Sequence, residues 1–239
     1  MTYTEEIIVD DFNFKKNYIE EVLFRVDFIS IPELTKISVV PDKFIEIIKD
    51  DFKILDETME PNLWAYYSEN YSKRIELTPS SIVLSYDGDF YETHKIILED
   101  IEILLKILNE YNVLTVNRVG LRYVNEIKPT KKILNWNDWV NQKLHNFYSV
   151  DDKLKLMRSL TQSEFKIDEY ILNFTYGQFN SNYPNTKIVN NFVMDYDCYT
   201  SSLTDTLSIK STFKEIHNII KSTFSKSIEK SLIKDMEEG

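Results

Sequence analysis

Residues 113–127, VLTVNRVGLRYVNEI, are the most distinctive segment of the chain. Strand alternation would place one set of side chains on one face, namely Arg118, Gly120, Arg122 and Val124. The other face would carry Val119, Leu121, Tyr123 and Asn125. Two arginines about 13 Å apart along the strand, with a glycine between them that leaves space above the sheet, could hold a carboxylate or phosphate group.

A structural interpretation of the same arginines stays open. In NFVMDYDCY (191–199) a period of two places Asp195 and Asp197 on one face of another strand. If the two strands are neighbours, Arg118 and Arg122 would pair with these aspartates and fix the register, at well under about 1 kcal/mol per exposed pair. The aspartates could instead hold a divalent cation or share a proton, or could simply face solvent.

The first half of the chain has a clear order of predicted elements. EVLFRVDFI (21–29) predicts a half-buried strand, and Pro41 precedes a predicted helix in DKFIEIIKDDF (42–52). Three short strands follow, in LWAYYSEN (63–70), SKRIELT (72–78) and SSIVLSYDG (80–88). Residues 90–112 then predict a long amphipathic helix with an apolar face formed by Ile97, Ile101, Leu104 and Leu108.

The second half repeats this order. The strand at 113–127 is followed by a predicted helix in WNDWVNQKLHNF (136–147), which would begin at Asn135 or Asn137. Three further strands are predicted in KLKLMRSLTQSEFKI (153–167), EYILNFTYGQF (169–179) and TKIVNNFVMDYDCY (186–199). Residues 206–233 predict a closing helix with an apolar face formed by Ile209, Phe213, Ile216, Ile220, Phe224 and Ile228.

Both halves thus read strand, helix, three strands, helix, which suggests an internal duplication of residues 20–112 and 113–239. The predicted fold is α+β, with one or two antiparallel sheets and a long helix packed on one face of each half. No linker rich in proline, glycine or serine separates the halves, and we expect a single compact unit over 1–239. The last strand of the second half is expected beside, or close to, the strand at 113–127.

Composition favours a cytoplasmic globular protein. A chain of 239 residues can bury a core without disulfides or metals. The one cysteine, Cys198, excludes an internal disulfide framework, and the acidic first residues are unlike a secretory signal. No apolar run approaches the roughly 18–20 residues of a membrane helix. We therefore expect no membrane partner.

Charge is distributed unevenly along the chain. The net charge is −11. Residues 1–112 contain 11 basic and 24 acidic side chains, a net charge of −13, whereas residues 113–239 contain 17 and 15, a net charge of +2. Because nucleic-acid binding depends on Lys and Arg neutralising phosphates, general nucleic-acid binding is not expected. A basic protein partner fits the acidic half better.

Known catalytic motifs are missing from the sequence. Four glycines are too few and too scattered for a phosphate-binding loop or a dinucleotide-binding fingerprint. His94, His145 and His217 lack the spacing of zinc ligands and fit packed or surface positions on helices. Cys198 has no flanking nucleophile signature and fits a buried apolar thiol. These observations favour binding over catalysis.

The central motif, Arg118-Val119-Gly120-Leu121-Arg122-Tyr123-Val124-Asn125, resembles a strand found in a sporadically distributed family of uncharacterised bacterial proteins of similar length. The strand at 21–28 and the Asp195-Tyr196-Asp197 segment are similar to that family as well. The resemblance spans most of the chain, but only the central motif is specific. It implies no reaction, and the patchy occurrence of the family implies a link to horizontally exchanged loci such as phage-defence or toxin–antitoxin-like cassettes.

We therefore predict a non-catalytic cytoplasmic recognition module, a subunit or regulator of a bacterial defence or toxin–antitoxin-like system, that binds a protein partner or an anionic ligand. The candidate ligand-binding residues are Arg118, Arg122, Tyr123, Asn125 and, on the corresponding first-half strand, Arg25. The alternative is a metal-dependent enzyme acting on a phosphate-containing substrate, with Asp195 and Asp197 holding Mg²⁺ or Mn²⁺. A third hypothesis is a homodimer formed through an exposed sheet edge.

Overall fold

The structure is a computed structural model that describes residues 14–57, 60–128, 136–144, 156, 158–180, 184 and 191–239. Its described residues form a mixed α+β fold with a large antiparallel sheet, as the sequence predicts. None of the helices in these ranges has the length and apolar character needed to cross a membrane.

Nine strands of the described residues make one antiparallel sheet. These are β1 Ile19–Asp27, β2 Ile54–Leu55, β3 Trp64–Tyr67, β4 Lys73–Leu77, β5 Ser81–Asp87, β7 Arg118–Ile127, β8 Ser159–Ile167, β9 Tyr170–Phe179 and β10 Asn191–Thr200. Two further short strands, β6 Thr115–Val116 and β11 Thr204–Asp205, pair with each other outside it.

The distinctive segment lies in the middle of the large sheet. The order across the sheet is β2-β3-β4-β5-β1-β7-β10-β9-β8. β7 pairs with β1 on one side and with β10 on the other, both antiparallel. The expected position of the last long strand beside this segment is therefore confirmed. β7 begins its pairing with β1 at Arg118, which lies opposite Asp27. The preceding Asn117 donates its backbone N–H to the Asp27 carbonyl at 2.6 Å.

Burial alternates along the central strands, as the period of two requires. Inward-facing residues are almost fully buried, namely Val22, Phe24 and Val26 on β1, Val119, Leu121 and Tyr123 on β7, and Met194, Tyr196 and Cys198 on β10. The residues between them are half-buried or exposed, except Gly120, which is buried. One face of the sheet therefore faces the core, and each large apolar side chain there contributes roughly 1.5–3 kcal/mol by burial.

The described residues also form four α-helices, α1 Asp42–Ile48, α2 Lys95–Glu110, α3 Ile209–Ser227 and α4 Lys230–Glu238. The apolar residues of α2 and α3 belong to the same hydrophobic cluster as the inward residues of the strands. α3 contacts β7 and β10, and Phe213 on α3 meets Phe24 on β1 edge to face, with ring centroids 5.5 Å apart. The core therefore lies between the central strands and these helices.

The helix predicted over residues 136–147 is wrong for the part that the structure describes. Residues 136–144 form two short 3-10 turns, Trp136–Asp138 and Gln142–Leu144. Trp136 is buried against the ring of Phe192 at 5.3 Å, and Val140 is fully buried and bridges to Ile228. Tertiary contacts of these two side chains outweigh the local helical preference. His145 lies outside the described residues.

The predicted closing helix is divided in two. α3 ends at Ser227, Ile228 is extended, and α4 starts at Lys230. Asn141 caps the end of α3, since its backbone N–H donates to the Ser227 carbonyl at 2.9 Å and its Nδ2 donates to the Lys226 carbonyl at 3.0 Å. Ile228, expected on the apolar face of one helix, instead lies in the break between two.

The other predicted strands are found in the large sheet, within the described residues. Residues 153–155, 157 and 186–190, which belong to the predicted strands at 153–167 and 186–199, lie outside the described ranges. The two-residue strands β2 and β11 were not predicted, because such short segments show no measurable periodicity. β6 lies inside the strand predicted at 113–127, which the structure divides at Asn117 into β6 and β7.

Candidate functional site

The predicted arginines and aspartates meet on the sheet face that points away from the core. Asp197 lies opposite Arg122 in the β7–β10 register, and Tyr199 lies opposite Gly120. On the other side of β7, Arg25 lies opposite Gly120. We call this surface, defined by Arg25, Arg118, Arg122, Asp195, Asp197 and Tyr199, the open face.

Arg122 binds Asp195 with both ends of its guanidinium. Nε donates to Oδ1 at 2.8 Å and Nη2 donates to Oδ2 at 2.7 Å. Such a parallel pair is the strongest geometry available to an arginine and a carboxylate. The Arg122 side chain is 42% exposed and that of Asp195 is 18% exposed, so solvent screens the pair only in part.

Arg118 reaches Asp197 by lying along the sheet. Its Nη2 donates to both carboxylate oxygens, at 3.2 and 3.1 Å, and its guanidinium stacks over the Tyr199 ring with the central carbon 4.1 Å from the ring centroid. A Cβ at Gly120 would lie 3.3 Å from Arg118 Nε and 3.3 Å from Tyr199 Cβ. Glycine at this position thus leaves the space in which Arg118 lies.

These contacts set the electrostatics of the open face. Burial raises the pKa of the Asp197 carboxyl, the neighbouring Asp195 adds to the rise, and Arg118 and Arg122 oppose it. The hydrogen bonds that Arg122 donates to Asp195 raise the pKa of Arg122, which is fully protonated in any case. Each arginine is matched by one aspartate, and the two pairs together carry no net charge.

Arg25 joins the open face from β1. Its Nε donates to Asp27 Oδ1 at 2.7 Å, and its side chain is 50% exposed. The structure therefore brings Arg25, Arg118 and Arg122 onto one surface, each with a carboxylate partner. The pairing of Arg118 and Arg122 with Asp197 and Asp195 is the structural alternative considered from the sequence.

Tyr123 and Asn125 point to the opposite side of the sheet from the arginines. Tyr123 is 7% exposed, and its hydroxyl lies 2.7 Å from that of Tyr91. Asn125 is 6% exposed and donates its Nδ2 to the Met194 carbonyl at 3.1 Å. The five predicted ligand-binding residues are thus divided between two faces of the sheet and do not form one site.

The two aspartates proposed as metal ligands are both occupied by guanidiniums. A cation at Asp195 and Asp197 would have to displace Arg122 from the first and Arg118 from the second. Within the ranges that the structure describes, no group of three or more His, Cys, Asp or Glu side chains is arranged to hold a metal ion.

Sequence reasoning did not bring together His94 and His217. Their rings stack with centroids 4.3 Å apart, one from the residue before α2 and the other from α3. His217 also lies 6.2 Å from the Tyr123 ring. The two histidines are far apart in the chain, and no local spacing rule relates them. Only the packing of α3 beside the start of α2 reveals the pair.

Comparison with known proteins does not identify the chain. No protein-family model matches the sequence, and no curated protein matches it at a significant level. The resemblance to a sporadically distributed bacterial family therefore stays a prediction.

Proposed function

We propose that this protein is a non-catalytic recognition module that binds a protein partner through the open face. One observation carries the proposal. Arginines and carboxylates alternate across the three central strands on the face that points away from the core, with the arginine side chains 30–50% exposed. A fixed pattern of alternating charge gives a partner both orientation and specificity.

The side chains of the open face suit a protein interface. Arginine and tyrosine are the residue types, with tryptophan, that most often supply binding energy at protein interfaces. Arg118 and Tyr199 are held against each other before any partner arrives, at 4.1 Å, and Arg122 is fixed by two hydrogen bonds. Fixed side chains lose little conformational entropy on binding, which favours affinity.

Binding of an anionic ligand at the open face has less support than binding of a protein partner. Arg118 and Arg122 already neutralise Asp197 and Asp195, so an incoming carboxylate or phosphate would compete with two carboxylates held in place by the fold. A protein partner does not need free guanidiniums, because it can match the alternating charges with its own.

An internal duplication is part of the proposal. Reading outward from the β1–β7 seam, the sheet runs β1, β5, β4, β3, β2 on one side and β7, β10, β9, β8 on the other. Two copies of one unit, 20–112 and 113–239, would give this mirrored order if their first strands paired with each other. Each copy would then place its long helix on the core side of the sheet. Superposition of the two ranges tests the idea: β1 must align with β7 and β5 with β10, and any other alignment contradicts it.

A cytoplasmic location and a role in a defence or toxin–antitoxin-like system are proposed on the resemblance of the central motif. Neighbouring genes of a defence cassette would supply the protein partner. Loss of phage resistance on deletion of the gene, restored by the wild-type chain, supports this role, and an unchanged phenotype contradicts it.

A charge swap tests the open face while keeping its ion pair intact. In the double variant Arg122→Asp, Asp195→Arg, the ion pair is rebuilt with reversed polarity, so the fold is kept while the pattern offered to a partner is inverted. The matched control is Lys210→Glu, Glu102→Lys, a surface ion pair between α3 and α2 that lies away from the open face.

The binding partner is first identified by affinity purification from the source organism and then prepared pure. We expect the open-face swap to weaken binding at least about tenfold, by about 1.4 kcal/mol or more, and the control swap to leave it within about twofold. Equal affinity of the partner for both swapped variants would contradict the proposal.

The metal-dependent enzyme remains the second hypothesis, with Mg²⁺ or Mn²⁺ at Asp195 and Asp197. Binding of a cation there would displace two guanidiniums from their carboxylates, which costs free energy. Binding of a protein partner leaves both ion pairs intact. Calorimetry with either cation distinguishes the two hypotheses.

A further inference from the structure

A cavity of about 590 Å³ lies on the core side of the sheet, between β7 and β10 and the helices α2 and α3. Its buried wall includes Tyr91, Tyr123, Asn125 and Tyr196. The stacked pair His94 and His217 also lines it. The volume is within the range of roughly 300–1,000 Å³ that is typical of small-molecule sites. The sheet separates this cavity from the open face.

Two buried tyrosine hydroxyls lie at the cavity wall, and only one of their two protons has a hydrogen-bond acceptor among the described residues. Burial raises the pKa of both Tyr91 and Tyr123 well above the ordinary value, so both hydroxyls stay protonated at neutral pH. The two oxygens lie 2.7 Å apart, and one donates to the other. The second proton has no acceptor among the residues that the structure describes. A buried donor without an acceptor costs about 1–3 kcal/mol.

Asn125 supplies a complementary acceptor near this pair of hydroxyls. Its Nδ2 is used by the Met194 carbonyl at 3.1 Å, whereas its Oδ1 accepts no hydrogen bond from a described residue. Tyr123 and Asn125 occupy positions i and i+2 of β7, on the same face and about 6.6–7 Å apart along the strand. A ligand edge with an acceptor and a donor side by side would satisfy both groups.

The wall around these groups is aromatic. Tyr91 meets Tyr123 at 5.8 Å, Tyr123 meets His217 at 6.2 Å, and His217 stacks on His94 at 4.3 Å. Tyr91 and Tyr123 meet edge to face, and only the two histidines are stacked. A wall of aromatic rings favours a flat, unsaturated ligand over a branched aliphatic one.

The rim of the cavity favours an anionic group. Lys15, Lys95 and Lys221 line it, against the acidic Asp89 and Glu92. Lys95 opens α2, a helix of 16 residues whose first turn has no acidic side chain. His94 makes no side-chain capping bond, and the Lys95 backbone N–H donates to Thr93 Oγ1 at 3.4 Å. The partial positive charge of that helix end adds to the lysine charge. In a chain with a net charge of −11, this rim is a local basic site.

From these four features we infer that the cavity binds a small planar heteroaromatic anion, with its ring against the aromatic wall, its polar edge on the Tyr91–Tyr123 hydroxyl pair and Asn125, and its anionic group at Lys95. The inference is independent of the open-face proposal, because the two sites lie on opposite sides of the sheet.

Fluorescence titration of the full chain tests the site. The first probe is 8-anilinonaphthalene-1-sulfonate, an aromatic anion with a flat naphthalene ring, and the uncharged control probe is N-phenyl-1-naphthylamine. Competition with adenosine, guanosine, cytidine and uridine monophosphates and with indole-3-acetate then separates aromatic phosphates from aromatic carboxylates. We expect one saturable site per chain for the anionic probe, displaced by at least one competitor.

Three variants assign that binding to the cavity. Lys95→Glu reverses the rim charge and is expected to weaken the anionic probe roughly three- to tenfold, with little effect on the neutral probe. Tyr123→Phe removes one hydroxyl and is expected to weaken the displacing competitor roughly five- to tenfold. Lys106→Glu, on the same helix and exposed but away from the cavity, is the matched control and is expected to stay within about twofold.

The inference is overturned by either of two results. One is the absence of saturable binding of the anionic probe, which would leave a cavity filled with water only. The other is binding that Lys95→Glu and Tyr123→Phe leave unchanged while both variants retain the melting temperature and circular dichroism of the folded protein. The open-face charge swap serves as a further control and is expected to bind the probe like the wild type.

Discussion

Arg122 pairs with Asp195 and not with Asp197, although Asp197 lies directly opposite it on β10. Asp197 is taken by Arg118, which reaches it across Gly120. Both pairs therefore run diagonally across the strands. A shift of β10 by one residue would move both aspartates to the core side, so the two pairs strengthen a register that the buried face already requires.

Two glycines in the sheet region are expected to respond differently to alanine. A Cβ at Gly88 would lie 1.8 Å from the Ile19 carbonyl oxygen, so backbone must move, whereas a Cβ at Gly120 meets Arg118 Nε and Tyr199 Cβ at 3.3 Å. We expect Gly88→Ala to lower the free energy of unfolding by more than about 3 kcal/mol and Gly120→Ala to change it by less than about 1 kcal/mol. Urea denaturation measures both, and similar losses would contradict this difference.

A buried network on α2 predicts a pH-dependent stability. Asp100, whose side chain is 5% exposed, accepts hydrogen bonds from Lys73 Nζ at 2.8 and 3.1 Å and from the Tyr86 hydroxyl at 3.0 Å. Burial raises the pKa of Asp100, and Lys73 opposes the rise. Lys73→Met leaves the carboxylate without its cation, which we expect to cost about 3 kcal/mol at pH 7.

The sign of the pH effect follows from the direction of the Asp100 pKa shift. An acid whose folded-state pKa lies above its unfolded value binds its proton more tightly when folded, so stability falls as pH rises between the two values. Lys73→Met raises the folded value further, and its deficit against the wild type should shrink as pH falls from neutral toward 4. Lys106→Met is the control. A deficit that stays constant over this pH range would contradict the role given to Asp100.

Cys198 is expected to be chemically inert in the folded protein. The residue is fully buried on β10, and burial raises the pKa of its thiol to about 12, with the nearby Asp197 adding to the rise. At pH 8 only about one thiol in ten thousand would be ionised. We expect no reaction with dithionitrobenzoate over an hour in buffer and one reacting thiol per chain in denaturing urea. Rapid reaction of the folded protein would show that β10 opens readily.

Divalent cations are expected not to bind the open face. Arg118 and Arg122 hold Asp197 and Asp195, so Mg²⁺ or Mn²⁺ would have to break both ion pairs. We expect calorimetric titration at millimolar cation concentration to show no saturable heat, in the wild type and in Asp195→Asn alike. Saturable binding that Asp195→Asn abolishes would restore the metal-dependent enzyme as the leading hypothesis.

The central strands could be predicted from sequence because their periodicity is long and uninterrupted. β1, β7 and β10 each hold nine or ten residues, so the alternation of buried and exposed positions is clear in the sequence. The same alternation placed Arg118 and Arg122 on one face and Tyr123 and Asn125 on the other. Pairing of the arginines with Asp195 and Asp197 was foreseen as an alternative because both sets have a period of two.

The prediction of a helix at 136–147 is wrong because residues distant in the chain decide the structure there, and no local sequence pattern shows them. Trp136 and Val140 are buried by Phe192 and Ile228, residues more than 50 positions away in the chain. The division of the closing helix has the same origin, since Asn141 caps Ser227. The cavity is likewise formed by side chains from distant segments, and the sequence offered Tyr123 and Asn125 only as members of a distinctive motif.

The two edges of the nine-stranded sheet differ in length. Among the described residues, β2 offers two residues at one edge and β8 offers nine at the other, where Phe165 is 47% exposed. A second copy of the chain could extend the sheet only at the long edge, and contact of β8 with β8 would be twofold symmetric. Such a pair would present only two-residue edges to further copies. Edge-to-edge assembly of this chain is therefore expected to end at two molecules and not to continue into a fibre.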